Sequence, residues 1–265
     1  MLDNFKNVYS SLVVNFFEEC IKENIEERVQ KEHPSIFIPG VGESYENIKP
    51  KVLYIGIDNN GWRDLAKDIN EYKLVKDNED EKNVFLDEIV KFSSKCLNNK
   101  EPFKKWYSSF WKFVIETQEA LFNEYGIQAT NVRMDENVLK TSFAWANTNS
   151  MELFSHIKNE DKTIYNYIKD KSKEFDSLNI ILQALEQKTD LVIILNWSEE
   201  VDYLGMEIID EEKQDEKHLQ YYRAKNNDVE VQVIWTAHPR YLSANGGSNY
   251  YIKQIIQIIK EKNIF

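Results

Sequence analysis

Apolar positions along the chain change period in a regular way. Phe5, Val8, Leu12, Phe16, Cys20 and Ile21 recur at three- and four-residue steps and predict one or two helices between Leu2 and about Gln30. A loop rich in Pro and Gly follows, with Pro34, Pro39, Gly40, Gly42 and Pro50. Short continuous apolar runs then predict buried strands at Lys51–Ile57, Thr141–Thr148, Asp190–Trp197 and Val231–Thr236. Helical spacing returns over Trp106–Tyr125, where Trp106, Phe110, Phe113, Val114, Thr117 and Leu121 share a face. It appears again over Lys173–Gln187, through Phe175, Leu178, Ile181, Leu182 and Leu185, and over Tyr250–Ile259. Glu207–Ile209 and Tyr221–Ala224 read as a hairpin leading into Val229–Trp235. Arg63–Asn99 is charged and poorly periodic, and reads as an insertion of helices and loop.

Strands alternate with helices, and the strands are apolar on both faces. This predicts an α/β fold with a mostly parallel central sheet flanked by helices. Residues 1–33 form an N-terminal helical extension packed on the core in this reading, and residues 34–265 one main domain with the charged insertion at about 63–104. Four strands end in polar or aromatic loops, at Asp58-Asn59-Asn60, Asn147, Asn196-Trp197 and His238. The carboxyl ends of parallel strands share one edge, which is where open α/β sheets bind ligands. A carboxylate, a carboxamide and an imidazole are therefore expected around one crevice, a site for a small molecule or a nucleotide.

Composition narrows this picture. The net charge of -12 argues against nucleic-acid binding by bulk electrostatics, although a local basic patch remains compatible with it. The acidic runs Asp77–Glu81 and Asp210–Glu212 read as solvated faces or as a surface for a protein partner. Two cysteines, Cys20 and Cys96, are too few for a disulfide framework or for a four-cysteine cluster or zinc site. No metal or other cofactor is expected. No run approaches the roughly 20 apolar residues of a membrane span, and the acidic N-terminus does not resemble a secretion signal. The expectation is a monomeric cytoplasmic protein without a membrane partner.

Several segments, taken together and in order, resemble the uracil-DNA glycosylase superfamily. His238-Pro239-Arg240-Tyr241-Leu242-Ser243, followed by Gly246-Gly247, is similar to that family's His-Pro-Ser-Pro-Leu-Ser segment. Gly56-Ile57-Asp58 resembles its Gly-Gln-Asp, and Asn147 resembles its base-reading Asn. The Lys173–Gln187 helix and the Asp190–Trp197 strand resemble the elements between its later motifs, and Ile38–Tyr45 resembles the opening of a less characterised bacterial branch. The likeness covers Lys51 to the C-terminus.

The resemblance implies a hydrolase that flips a base out of single- or double-stranded DNA and cleaves its N-glycosidic bond. It implies Asp58 and His238 as catalytic residues and Asn147 as the reader of the base. Trp62 and Tyr72 are candidates for the aromatic platform. Arg240, Leu242 and Ser243 would contact DNA, Leu242 as the apolar wedge that fills the space of the flipped base. Asn59-Asn60 stands where the family's best-known branch has Pro-Tyr, and Asn60 in place of that crowding Tyr implies a wider base pocket. A modified or bulky base, such as those of some phage DNA, then becomes the expected substrate, with a host-defence role. Arg240 in place of a small Ser either binds phosphate more strongly or narrows the groove. Two other readings stand beside this one: a non-catalytic binding protein that keeps the fold, and an unrelated doubly wound enzyme.

Overall fold

The computed structural model describes residues 2–28, 36–58, 63–101, 108–126, 136–149, 166–167, 170–171, 173–175, 177–196, 205–213, 218–226 and 229–265. Asn59, Asn60, Gly61, Trp62, Trp106 and Trp197 lie outside them. In chain order the elements are α1 (Leu2–Lys22), α2 (Ile25–Arg28), β1 (Gly40–Val41), a 3-10 turn (Tyr45–Asn47), β2 (Val52–Asp58), α3 (Leu65–Val75), α4 (Glu79–Asn98) and α5 (Ser109–Tyr125). There follow α6 (Glu136–Lys140), β3 (Ala144–Asn149), α7 (Leu178–Ala184), β4 (Leu191–Asn196), β5 (Glu207–Lys213), β6 (Leu219–Asn226), β7 (Val229–Ala237), α8 (Pro239–Ala244) and α9 (Ser248–Lys262). The fold is α/β. Among the described residues no helix is long and apolar enough to cross a membrane.

The strands form one seven-stranded sheet in the order β1-β3-β2-β4-β7-β6-β5. β2 pairs with β4 and β4 with β7 in parallel, whereas β1–β3, β7–β6 and β6–β5 are antiparallel. The expected mostly parallel sheet is thus a mixed one with a parallel centre. β6 and β7 are separated only by residues 227–228, a connection far too short for the crossover a parallel pair needs. Gly40-Val41, read as loop, is an antiparallel edge strand on β3. β5 is the last strand on the other side, and its Glu207, Asp210 and Glu211 are exposed.

The chain divides into two compact units, one of residues 1–38, 58–93 and 147–186, the other of 39–57, 94–146 and 187–265. In the first, α1 buries Phe5, Tyr9, Val13, Phe16, Phe17 and Cys20. Phe17 meets Tyr72 of α3 at 5.4 Å and Phe85 of α4 at 5.9 Å between ring centroids. The Asn4 amide donates to the Gln183 carbonyl at the end of α7 at 2.7 Å, and Lys6 pairs with Asp87 at 3.0 Å. The stretch read as poorly periodic is two amphipathic helices. Leu65, Ile69 and Tyr72 are buried along α3, and Leu86, Ile89 and Val90 along α4. Most of the charges that mask this spacing sit on the outer faces, with Asp68 the buried exception. The helix expected over Lys173–Gln187 is interrupted at Ser177, which takes an extended ψ of 124° and starts α7 afresh.

In the second unit α5 covers the sheet. Its Trp111 packs edge-on against Trp145 at 4.6 Å, and Gln118 accepts a hydrogen bond from the Tyr54 hydroxyl at 2.9 Å. β3 begins at Ala144, later than the sequence suggests. Thr141 and Ser142 are spent on turning the chain out of α6, with the Ser142 hydroxyl bonded back to the Leu139 carbonyl at 2.9 Å. Lys51 enters β2 with its ammonium on the Tyr45 and Glu46 carbonyls, at 3.1 and 2.7 Å, closing the 3-10 turn.

Burial holds the Tyr54 phenol in its neutral form well above the usual tyrosine range. Burial also raises Tyr45, helped by the Asp190 charge and opposed by the Thr189 hydrogen bond. Both folded pKa values lie above that of the unfolded chain, so their contribution is fully present below pH about 10 and is lost as pH rises beyond it. Each phenol is expected to subtract about 1.4 kcal/mol of stability per pH unit above that point. Absorbance of tyrosinate against pH, recorded beside circular dichroism, should show these two ionising only as the fold is lost. Their titration in the folded protein would refute the assignment.

Candidate active site at the carboxyl edge of the sheet

β2, β4 and β7 are parallel neighbours, so their carboxyl ends lie on one edge of the sheet. β2 ends at Asp58 and β4 at Asn196, and β7 ends at Ala237 with His238 next. Asn196 pairs with Ala237, one residue out of step with the Leu195–Thr236 pair. Alternation therefore puts Asn196 on the sheet face opposite Leu195 and Thr236.

Pro239 decides the local structure at His238. It cannot donate to a sheet ladder and holds φ in the helical range, so β7 stops and a helix starts with Pro in its first turn. The residue before a proline is pushed to extended backbone, and His238 takes φ -54° and ψ 133° as the helix cap. The segment read as a loop is thus the short helix α8. Nδ1 of His238 accepts the Arg240 backbone N–H at 3.2 Å. An acceptor at Nδ1 leaves the neutral imidazole with its proton on Nε2, the form that donates a hydrogen bond.

Arg240 and Ser243 are exposed on α8. The Ser243 hydroxyl donates to the Pro239 carbonyl at 2.9 Å and lies 3.1 Å from the Ser248 hydroxyl at the start of α9. Leu242 is fully buried. A wedge must reach between base pairs, whereas here Leu242 packs α8 onto the core. The turn that follows uses Gly246 at φ 119° and Gly247 at φ 89°, backbone that residues with side chains rarely adopt.

One residue at this edge escaped the sequence reading. His218 precedes β6, and the Leu219–Thr236 register brings it level with the end of β7. Its carbonyl accepts the Thr236 hydroxyl at 3.0 Å and the Ala237 N–H at 3.3 Å. Its ring meets Tyr241 of α8 edge-on, with centroids 4.7 Å apart. It holds φ at 74°, left-handed backbone that is uncommon outside glycine. Only the hairpin register could have revealed it, and His218 lies just after residues 214–217, which separate the paired strands.

In the other unit, Asn147 is 3% exposed in β3, two residues after Trp145. Asn60 and Trp62, named as base-binding, lie outside the described residues. Tyr72 is not available as a platform. It is buried against Phe17 and Phe85 and donates its hydroxyl to Glu18 at 3.0 Å. Just after the Asn59–Trp62 stretch, Arg63 grips Asp68 with two hydrogen bonds of 2.9 and 2.6 Å and lies over the Phe92 ring.

Comparison with protein-family models, curated proteins and solved structures returns no match. Among the described residues no group of three or more His, Cys, Asp or Glu side chains could hold a metal ion. Burial pushes the Cys20 thiol well above its usual range, so it stays protonated and unreactive.

Proposed function

We propose that the protein is a DNA glycosylase-like hydrolase related to the uracil-DNA glycosylase superfamily, acting on a modified or bulky base, with a role in host defence against phage. The observation that supports this most is His238. In a segment resembling a glycosylase motif, it follows a strand of the parallel centre and has the tautomer a departing base requires. The C1′–N bond breaks with its electron pair going to the base, and the sugar becomes cationic. The Nε2–H of His238 donates to the base oxygen as charge grows there. Asp58 stabilises the cation and orients water. Water adds to C1′, and one of its protons goes to the departed base. Asn147 offers one donor and one acceptor to the extruded base. No cofactor enters the reaction.

A non-catalytic binding protein of the same fold is the second reading, favoured by the burial of Leu242 and the net charge of -12. One experiment separates the two. The full chain is incubated with DNA carrying uracil, and separately with hypermodified phage DNA, and freed bases are identified by mass spectrometry. Release of a base is expected; no release from any substrate by folded protein would favour the binding reading. His238→Asn keeps a good cap residue, so stability should change by less than about 1 kcal/mol. Base release should fall about a hundredfold, as for loss of one donor to a developing oxyanion. Undiminished release would remove His238 from the chemistry.

A further inference from the structure

The structure bears on the strand state of the nucleic acid, an inference that rests on the glycosylase reading and deepens it. Proteins that open a duplex frequently insert an apolar side chain long and exposed enough to enter the stack. In α8 the exposed side chains are Arg240, Ser243 and Ala244, a cation, a hydroxyl and a methyl group. The one long aliphatic side chain, Leu242, is fully buried. Its inward position is fixed by the turn that ends α8, because the Leu242 carbonyl accepts the N–H groups of Asn245 and Gly247 at 3.1 and 3.0 Å.

What α8 offers beside His238 is an aromatic ring. Tyr241 lies one helical turn from the cap, with its N–H on the His238 carbonyl at 2.8 Å. Its ring is half-buried and stands edge-on to His218. His218 is itself fixed by the two hydrogen bonds that its carbonyl accepts from the end of β7. Its Nε2 is buried and has no hydrogen-bond partner among the described residues. His218 holds left-handed backbone, and strain of this kind concentrates at functional positions. A second ring, Tyr250 in the first turn of α9, is 38% exposed beside the Gly246 turn. The exposed Arg240 directly precedes Tyr241 in α8, so a cation and an aromatic ring are neighbours there.

A braced ring cannot push apart base pairs, but it can receive a base face. Duplex DNA shows a protein its base edges and phosphates, because the faces are occupied by stacking. An unpaired strand exposes the faces, and an aromatic side chain next to a cation is how proteins hold such strands. We propose that the site takes a base that is already unpaired, in single-stranded DNA or a displaced strand, and that Tyr241, braced by His218, is the platform on which a base stacks.

The test uses the full chain and a short fluorescein-labelled oligonucleotide carrying the base found in the release assay, or uracil, alone or annealed to its complement. Binding by anisotropy and base release are measured at one fixed salt concentration. The single strand is expected to bind and react at least about tenfold better than the duplex. Tyr241→Ala should weaken single-strand binding about ten- to a hundredfold, and Tyr241→Phe should restore most of it. His218→Asn tolerates the left-handed backbone while removing the ring, and should give an intermediate loss with an unchanged melting temperature. Equal or better use of duplex overturns the proposal, as does Tyr241→Ala binding like the wild type. Base release without strand preference would overturn this inference alone. Single-strand binding that depends on Tyr241 without any base release would instead overturn the glycosylase reading and keep the platform. Absence of any nucleic-acid binding would overturn both.

Discussion

Asp58→Asn is expected to lower base release about a thousandfold while the protein stays folded. A developing sugar cation is stabilised by a nearby negative charge far more than by a neutral amide. In a site that excludes water, a loss of about 4 kcal/mol of transition-state stabilisation corresponds to that factor. Asn matches Asp in shape and can take the same place at a strand end, so the loss should fall on turnover rather than on substrate binding. Single-turnover rates with excess enzyme, together with oligonucleotide affinity, would check this. Turnover unchanged in Asp58→Asn would remove the carboxylate from the mechanism. A matching loss of affinity would make its role one of binding.

The second large effect concerns the fold. Gly42→Ala is expected to destabilise the protein by about 3 kcal/mol or more. A Cβ at position 42 would stand 2.1 Å from the Thr141 carbonyl oxygen and 2.5 Å from its carbon, and both are backbone. Neither neighbour can swing aside like a side chain. The Gly42 N–H is bonded to the Phe143 carbonyl at 3.1 Å and the Ser44 N–H to the Thr141 carbonyl at 3.0 Å. Relief therefore requires moving the start of β3 away from the segment it pairs with. For a chain of this size the melting temperature should drop by about 6–12 °C, read by circular dichroism. A drop of less than about 2 °C would mean that the two segments separate cheaply.

The sequence makes the parallel centre visible because those strands are covered on both faces and leave uninterrupted apolar runs. Leu191–Asn196 is buried throughout, and its pattern admits few other readings. α3 and α4 were harder to see because acids and lysines dominate their composition, although Leu65, Ile69 and Tyr72 keep helical spacing. His238 could be found from its place after an apolar run and before a proline, since both neighbours dictate backbone locally. Leu242 and His218 could not. Whether Leu242 faces inward depends on how the Asn245–Gly247 turn sets α8 on the core. The position of His218 depends on hairpin register, which pairs it with residues far along the chain. Short-range signals carry strands and caps; long-range pairing decides which side chains meet.

The charged border at β5 has a consequence for the protein in concentrated solution. The outer strand of an open sheet presents unpaired backbone groups that invite a second sheet to join it. Here that strand carries Glu207, Asp210 and Glu211 exposed, so two such borders approaching each other bring like charges together. The repulsion acts over about a Debye length, roughly 8 Å at physiological ionic strength and 3 Å in molar salt. Molecules should therefore keep their sheets separate in dilute buffer and lose that protection as salt rises. The acidity that at first sight counts against nucleic-acid binding acts at this border as an electrostatic guard against fibrous self-assembly.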